Sequence, residues 1–329
     1  MYFADMKKAL QFIMFLLIGI LLFIIVFFFW ASSPNYSLED YSKTITNNYT
    51  QKIETDSVYS IVTYNIGYLS GMTNNKAIAK PKSLFENNLK KVKDEFKSLN
   101  ADLIAFQEID YASARSFYTN QQNEIAKLGY NYVAKAVNWD EKYVPFPEYP
   151  FSMHFGEMLS GQSIISKYPI KDHQRIVLER VKDNPFYRDA LYLERLAQIA
   201  TVTIEDKEVV LINIHLEAFD KPTRIGQLDF VIDLFNRYKT TNPTILLGDF
   251  NSNPDDDSPA INQLFALEGI GNAAFGELYD YTFNTANPNK RIDYIFYTKK
   301  SIEMVDSKVL KQFGQASDHL PVELQFKLK

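Results

Sequence analysis

Thr244 to Pro254 reads TILLGDFNSNP. The apolar run Ile245, Leu246, Leu247 stops at Gly248, and Asp249 and Asn251 follow in a turn rich in Asn, Ser and Pro. That pattern predicts a short buried strand presenting an acid and an amide at its carboxyl end. In α/β sheets, ligands commonly bind at the carboxyl ends of strands. A carboxylate two residues before a carboxamide supplies oxygen ligands, an acid that can orient water, and an N–H donor. Phosphoryl chemistry uses such parts, because its catalysis is mostly positioning and charge neutralisation. Alone, Asp-x-Asn after a strand is equally an ordinary Asx turn, so the decision falls on the rest of the chain.

Outward from this stretch, strands alternate with helices. On the amino side, Thr223 to Tyr238 is helical with Ile225, Leu228, Val231 and Phe235 inward, and Val209 to Ile214 is a strand ending at His215. It joins Leu196 to Ile204 through Glu205-Asp206-Lys207, a hairpin-like connection. Gln162 to Ser166 is a further strand. Earlier come the strand Val58 to Tyr64, ending in Asn65-Ile-Gly, and the strand Asp102 to Phe106, ending at Gln107-Glu108. Between them, Ser83 to Leu99 places Phe85, Leu89, Val92, Phe96 and Leu99 on one face of an amphipathic helix. A helix over Gln121 to Leu128 and a strand over Tyr130 to Val137 follow. Trp139 to Phe155 holds three prolines and six aromatics without a period, and reads as a long surface loop. It is either an aromatic rim for a substrate or lipid head group, or a proline-stiffened loop packed on itself. On the carboxyl side, Ser258 to Leu267 is a short helix. Ile292 to Tyr297 and Val322 to Leu328 are the last strands, preceded by Arg291-Ile-Asp293 and Ser317-Asp318-His319.

The 329 residues are 46% hydrophobic and 23% charged, ample for one large domain or two smaller ones. A net charge of −5 argues mildly against tight non-specific nucleic-acid binding, which relies on a basic surface. With no cysteine, disulfides, thiolate metal sites and a cysteine nucleophile are excluded.

Residues 9–31 are uncharged and almost wholly apolar, and at helical rise they reach ~34 Å, enough to cross a hydrocarbon core of ~30 Å. A secretory signal has a shorter apolar region, and only Ala31-Ser32-Ser33 resembles a cleavage site, so an uncleaved transmembrane anchor is expected. Lys7 and Lys8 precede the span, while Glu39 and Asp40 are the first charges after it. This bias puts the tip, residues 1–8, in the cytosol and the bulk of the chain on the extracytoplasmic side. Residues 32–57 are polar and aperiodic, which suggests a linker. Asn35-Tyr-Ser and Asn48-Tyr-Thr fit the glycosylation pattern, which matters only in a eukaryotic secretory route. Residues 58–329 form the expected catalytic domain. No segment calls for an obligate protein partner.

Polar clusters thus sit at strand ends or entries: Asn65, Glu108, His215, Asp249 with Asn251, Asp293, and Asp318 with His319. Each has an ordinary structural explanation; Asp293, for instance, could pair with Arg291 or Lys290. Jointly, acid, amide and imidazole at so many strand ends are harder to explain that way. The ordered set TYNIG, FQE, SIISKYPI, NIHLEAF, GDFNSNP, RIDYIF and SDHLPV resembles the endonuclease/exonuclease/phosphatase superfamily, over roughly residues 58 to 329. That group includes deoxyribonucleases, sphingomyelinases and inositol-polyphosphate 5-phosphatases. The resemblance implies an α/β (α+β) four-layer sandwich: two packed mixed β-sheets, helices outside, and one cleft at the sheet edges.

It also implies a divalent cation, Mg²⁺ with Mn²⁺ as an alternative, held by Glu108 with Asn65 and Asp318. Such an ion prefers oxygen ligands and polarises the scissile phosphate. Asp249 would orient or deprotonate the attacking water, and Asn251 would donate to a phosphate oxygen. His319, oriented by Asp293, would contact the phosphate or act in acid–base work, and His215 would contact the phosphate and protonate the leaving group. Some family nucleases carry an acid where this chain has Gly67, so a single metal is expected. Arg195 and Arg224 could reach a phosphate but read first as surface or strand-pairing charges, and His154 and His173 as structural or exposed. The expected activity is hydrolysis of a phosphate ester, most simply a phosphodiester in a phospholipid head group or in nucleic acid. A non-catalytic phosphate- or lipid-binding module on the same scaffold is the alternative; loss of one of the polar strand-end residues would mark it, and all are present.

Overall fold

The computed structural model describes residues 2–51, 53, 57–274 and 280–329. In chain order, α1 (Tyr2–Ala31) precedes β1 (Ser42–Thr46), β2 (Tyr59–Asn65), α2 (Lys82–Leu99) and β3 (Leu103–Asp110). Next come α3 (Gln121–Ala126), β4 (Tyr132–Val144), β5 (Gly156–Ser166), β6 (Ile170–Val177) and the single turn α4 (Phe186–Asp189). The hairpin of β7 (Leu196–Ile204) and β8 (Lys207–His215) leads through α5 (Lys221–Tyr238) to β9 (Thr244–Asp249). After α6 (Asn262–Phe265) and β10 (Ile270–Asn272), the strands β11 (Asp293–Thr298), β12 (Ile302–Val309) and β13 (Val322–Leu328) complete two sheets.

Among the described residues, one sheet has the order β1-β4-β5-β3-β2-β13-β12 and the other β10-β11-β9-β8-β7-β6. Both are mixed: β2 with β3 and β8 with β9 are parallel, each joined by a helical crossover, α2 and α5. The sheets meet face to face through residues such as Ile61, Leu103, Ala105, Leu211, Leu247, Ile295 and Leu324. Phe85, Val92 and Phe96 of α2 cover the outer face of the first sheet. Leu228, Val231 and Phe235 of α5 cover the second. The result is the four-layer sandwich, with the helix α1 outside it.

Strand alternation decides which side chains reach the layer between the sheets. On β2, Ile61 faces that layer and Val62 faces α2, so Asn65 faces the layer again, at the strand's end. The same parity carries Leu247 to Asp249 and Ile295 to Asp293. Glu108 breaks it. Its φ is +50°, and the pairing of β3 with β5 slips between Phe106 and Ile109. This bulge turns a carboxylate into the cleft that regular alternation would not deliver there.

Several expectations change. Residues 32–57 are not wholly a linker, because Ser42 to Thr46 pair with Ala136 to Tyr132 as an edge strand. An edge strand needs only one partner and tolerates the exposed polar residues that hid it. The loop expected over Trp139 to Phe155 is strand as far as Val144, where slips after Val137 and Glu141 erase the period. The exposed edge strands β6 and β12 also lack an apolar pattern. The helix expected over Ser258 to Leu267 is confined to α6.

Candidate active site

The carboxyl ends of the parallel strands β2, β3, β8 and β9 share one end of the sandwich. Asp249 lies at the centre. In register with it are His215 on β8 and Asp293 on β11. The Asn65 amide donates to Asp249 Oδ2 at 2.9 Å, which joins the two sheets across the cleft. The backbone N–H of Asn251 donates to Asp249 Oδ1 at 2.9 Å, so the Asx turn exists and serves to fix the carboxylate. One Asn251 side-chain N–H goes to the Leu216 carbonyl at 2.9 Å, which orients that amide. Gly248 is demanded by packing, since a Cβ there would stand 2.0 Å from the Ile214 carbonyl oxygen.

Two histidines enter with opposite characters. His319 Nδ1 lies 3.2 and 3.0 Å from the two Asp293 oxygens, and its Nε2 is 3.9 Å from Asp249 Oδ2. Burial opposes its charge, but Asp293 and Asp249 outweigh that and hold the imidazole well above its ordinary range. Of the two imidazoles, His319 is the one whose surroundings favour a proton. His215 Nε2 is 3.6 Å from Asp249 and 3.8 Å from Glu108. Burial, then the charge of Arg195, push it well below its usual value. Arg195 Nη1 lies 2.6 Å from the same Nε2, and arginine can only donate. Nε2 of His215 is thus an acceptor, with no proton to give at that atom in this arrangement.

Arg195 was expected at the surface or in strand pairing; it is buried inside the site. Its guanidinium contacts His215, Glu217 at 3.3 Å and the Tyr192 hydroxyl at 3.1 Å. No local pattern marks Arg195 or Glu217, because their partners are brought in by strand pairing and the loop after β8. Arg224 is half-buried and donates to the carbonyls of Glu217 and Ala218. The expected alternative for Asp293 does not occur: Arg291 Nε donates to its backbone carbonyl, leaving the carboxylate to His319. His154 and His173 lie in hydrogen bonds to Tyr143, and to Gln198 and Ser42, respectively.

Glu108 and Asp318 meet over one amide. Asn74 Nδ2 lies 3.0 Å from Glu108 Oε2 and 3.4 Å from both Asp318 oxygens. Asn74 carried no sequence signal; it belongs to the loop between β2 and α2. Burial, then the negative charge of Asp318, raise Glu108 above the usual carboxylate range. Two close carboxylates sharing a neutral amide form an electrostatic deficit that a cation would relieve. Asp249, Asp293 and His319 also bring donor atoms within 4.8 Å of one another. There, however, His319 Nδ1 is already engaged by Asp293 at 3.0 and 3.2 Å and is not free to ligate. The oxygen-only set of Glu108 and Asp318, with Asn65 adjacent through the Ser317 hydroxyl that bonds its carbonyl at 2.8 Å, fits a hard cation better. Gly67, at φ +51°, leaves no room for a further acid, since a Cβ would lie 2.7 Å from both Asp318 Oδ1 and Ser317 Oγ.

Below the site, a buried polar network separates it from the apolar core. Gln107 donates to Asn213 Oδ1 at 2.6 Å and to Thr63 at 3.1 Å, and Asn213 donates to Gln198 at 3.0 Å. These residues fix the strand ends on which Asn65, Glu108 and His215 stand.

The fold is shared by solved structures with low sequence identity. An endonuclease/exonuclease/phosphatase from Beutenbergia cavernae superposes with a TM-score of 0.61 at 19% identity, over 83% of this chain and 72% of that one. The human Nocturnin catalytic domain with bound sulfate anion gives 0.58 at 17% identity, over 88% and 98%. An endonuclease/exonuclease/phosphatase from Bacteroides vulgatus gives 0.58 at 17%, over 83% and 100%. Among curated proteins, a UPF0294 protein of Vibrio cholerae is 27% identical over 139 residues, 42% of this chain. That match spans about half (47%) of the relative's own length. The sequence pattern of the Endonuclease/Exonuclease/phosphatase family matches residues 62–319, so the chain belongs to that family, whose members are hydrolases acting on phosphoester bonds.

Proposed function

We propose that this chain is a membrane-anchored, divalent-metal-dependent phosphodiesterase that hydrolyses its substrate by in-line attack of water. The observation that carries the reading is the convergence of Asn65, Glu108, His215, Asp249, Asp293, Asp318 and His319 at one sheet end, linked by contacts of 2.9 to 3.9 Å. Glu108, Asp318 and Asn65 would hold Mg²⁺ or Mn²⁺. When bound, the cation would polarise the phosphate and offset charge on the leaving oxygen.

The remaining roles belong to side chains. Asp249, fixed by Asn65 and Asn251, takes a proton from the water as its oxygen attacks phosphorus. His319, held by Asp293, offers its Nε2 proton to the phosphate or to the leaving oxygen as that bond breaks. His215 and Arg195 line the opposite wall and contact the phosphate, with Asn251 donating its second amide proton. The reading assigns proton donation to His319 over His215, because only His319 carries a proton on the nitrogen facing Asp249. A phospholipid head group is favoured over nucleic acid by the apolar helix α1 and the acidic net charge of −5. Lys7 and Lys8 before that helix favour a cytosolic amino terminus and an extracytoplasmic domain.

The test uses the full chain in detergent with Mg²⁺, Mn²⁺ or EDTA. Substrates are bis(p-nitrophenyl) phosphate, sphingomyelin and plasmid DNA. Metal-dependent turnover of at least one, abolished by EDTA and by Asp249→Ala, is expected. No turnover of any with metal present, and no difference between parent and variant, would end the catalytic reading.

A further inference from the structure

The helix α1 does not hang from a loose tether. Asp5–Ala31 is 27 helical residues, ~40 Å long at helical rise, and holds an 18-residue window of mean hydropathy 3.3. From Asp5 to Val26 its residues are exposed, but its last turn is docked on the domain. Phe27 and Trp30 lie against Tyr143 at 5.7 and 6.4 Å between ring centres, and Phe28 meets Phe186 edge-on at 5.8 Å. Ala31 is buried, and the Lys142 N–H reaches the Ser33 carbonyl at 3.2 Å.

Strand directions show which end of the sandwich this is. β5 is antiparallel to both β3 and β4, so β4 runs the same way as β3. β7 is antiparallel to both β6 and β8, so β6 runs the same way as β8. The carboxyl ends of β3 and β8 carry Glu108 and His215. The loops that leave β4 after Val144 and β6 after Val177 therefore rise from the same end as the site. Those two loops hold the aromatics that continue outward from the docked helix. Tyr143 bonds His154 at 2.8 Å, His154 packs on Phe151, and Phe151 packs on Tyr149. Phe186 packs on Tyr187. Their tips are bare to solvent: Tyr149 is 79% exposed, Phe151 73%, Phe186 77% and Tyr187 58%. The same β6–β7 loop returns to the site, where Arg195 donates to the Tyr192 hydroxyl and meets His215.

We infer that this end of the sandwich rests on the bilayer, with Tyr149, Phe151, Phe186 and Tyr187 seated in the interface beside α1, so that the cleft faces the membrane surface and receives a phosphoester presented by it. The inference rests on the anchored reading of α1 given above. The occupant is a lipid surface because the patch is continuous with an apolar helix long enough to cross one. Aromatic rings at the end of such a helix suit the headgroup level. A domain on a free linker would have no reason to align its cleft this way.

The experiment measures depth and is independent of turnover. The chain has two tryptophans, Trp30 and Trp139, the second of which is buried. In a Trp30→Phe background, Phe151→Trp, Phe186→Trp and, as control, Val305→Trp are reconstituted singly in nanodiscs of one protein each. The lipid is phosphatidylcholine brominated near the headgroup end of its acyl chains. Val305 is exposed on β12, at the sheet edge opposite β1 and β4. Interfacial side chains sit ~5–10 Å into the headgroup boundary, so positions 151 and 186 should be quenched about threefold more than position 305. Equal quenching at the three positions overturns the inference. So does a patch left unquenched by bromine in the nanodisc but shielded from aqueous acrylamide as protein concentration rises in detergent, the sign of a second copy of this chain. Emission responds to bromine whether or not the protein hydrolyses anything. A dead hydrolase with quenched 151 and 186 would sink the functional proposal alone.

Discussion

Asp249 carries the tightest set of predictions. Burial pushes its carboxyl up to about 7, with His319 pulling it down and Asp293 pushing it up. A base works only when deprotonated, so kcat/KM should rise with pH through about 7 and level off above it. A bound cation would move that rise to lower pH. Asp249→Asn removes the base while keeping an oxygen for Asn65, and kcat should fall ~10²–10⁴-fold with the pH dependence flattened. Pre-steady-state turnover of bis(p-nitrophenyl) phosphate across pH checks both. Arg195 has a different liability. Arg195→Ala strands the buried Glu217 carboxylate, and breaking such a pair costs ~3–5 kcal/mol. Urea midpoints in detergent should show that loss, and Arg195→Ala with Glu217→Ala should be less destabilised than the single change. Gly67 tests the one-metal reading. An acid there is strained by φ +51° and collides with Asp318, so Gly67→Asp should lose ~1–3 kcal/mol and bind no additional Mn²⁺ by calorimetry.

At the scale of elements, β1 and β6 carry a pH dependence of their own. His173 on β6 accepts from Gln198 Nε2 at 3.0 Å, and its Nδ1 lies 3.3 Å from Ser42 Oγ on β1, which joins the two sheets at their edges. Burial lowers its value to about 4. Between that and the ordinary 6.5 the unfolded chain binds a proton that the folded one refuses, so stability falls as pH drops through this window. His173→Asn should remove up to ~1.4 kcal/mol per pH unit of that slope, read from urea midpoints between pH 4 and 6.5. The same elements show what a sequence conceals. Asn65, Asp249 and Asp293 were legible because each continues an unbroken alternation from the core to a strand end. Glu108 was legible only as an acid at a strand end, and its ligand role came from the family resemblance, since the bulge at φ +50° breaks the parity that would have pointed it into the cleft. The slips in β4 hid half a strand for the same reason, and β1, β6 and β12 lacked the apolar partner face that gives a strand its period. Asn74 and Arg195 were illegible because their meaning lies in partners far along the chain.

At the scale of the whole molecule, everything turns on whether α1 and the domain move as one body. Beyond the aromatic docking of Phe27, Phe28 and Trp30, the segment after α1 is gathered by a single carboxylate. Asp140, 6% exposed on β4, accepts from the Asn35 backbone at 3.0 Å, the Asn35 amide at 3.2 Å, the Tyr36 backbone at 2.8 Å and the Tyr41 hydroxyl at 3.1 Å. Burial first, then the charge of Asp140, push the Tyr41 hydroxyl up, so it stays a donor. These contacts fold residues 35–41 back onto β4 and lead the chain into β1. Asp140→Ala leaves several donors without an acceptor, each worth ~1–3 kcal/mol when shielded from water. The loss is local, because β1 is an edge strand and both sheets keep their cores. Opening of the segment by ~3 kcal/mol should raise amide exchange over residues 35–46 by ~10²-fold while α2 and α5 stay protected. A proteinase should then cut in that segment in the variant and spare the parent chain. If the parent exchanges as fast as the variant, residues 32–57 are a free tether after all, the domain tumbles independently of α1, and no orientation of the cleft toward the membrane can be built into the fold.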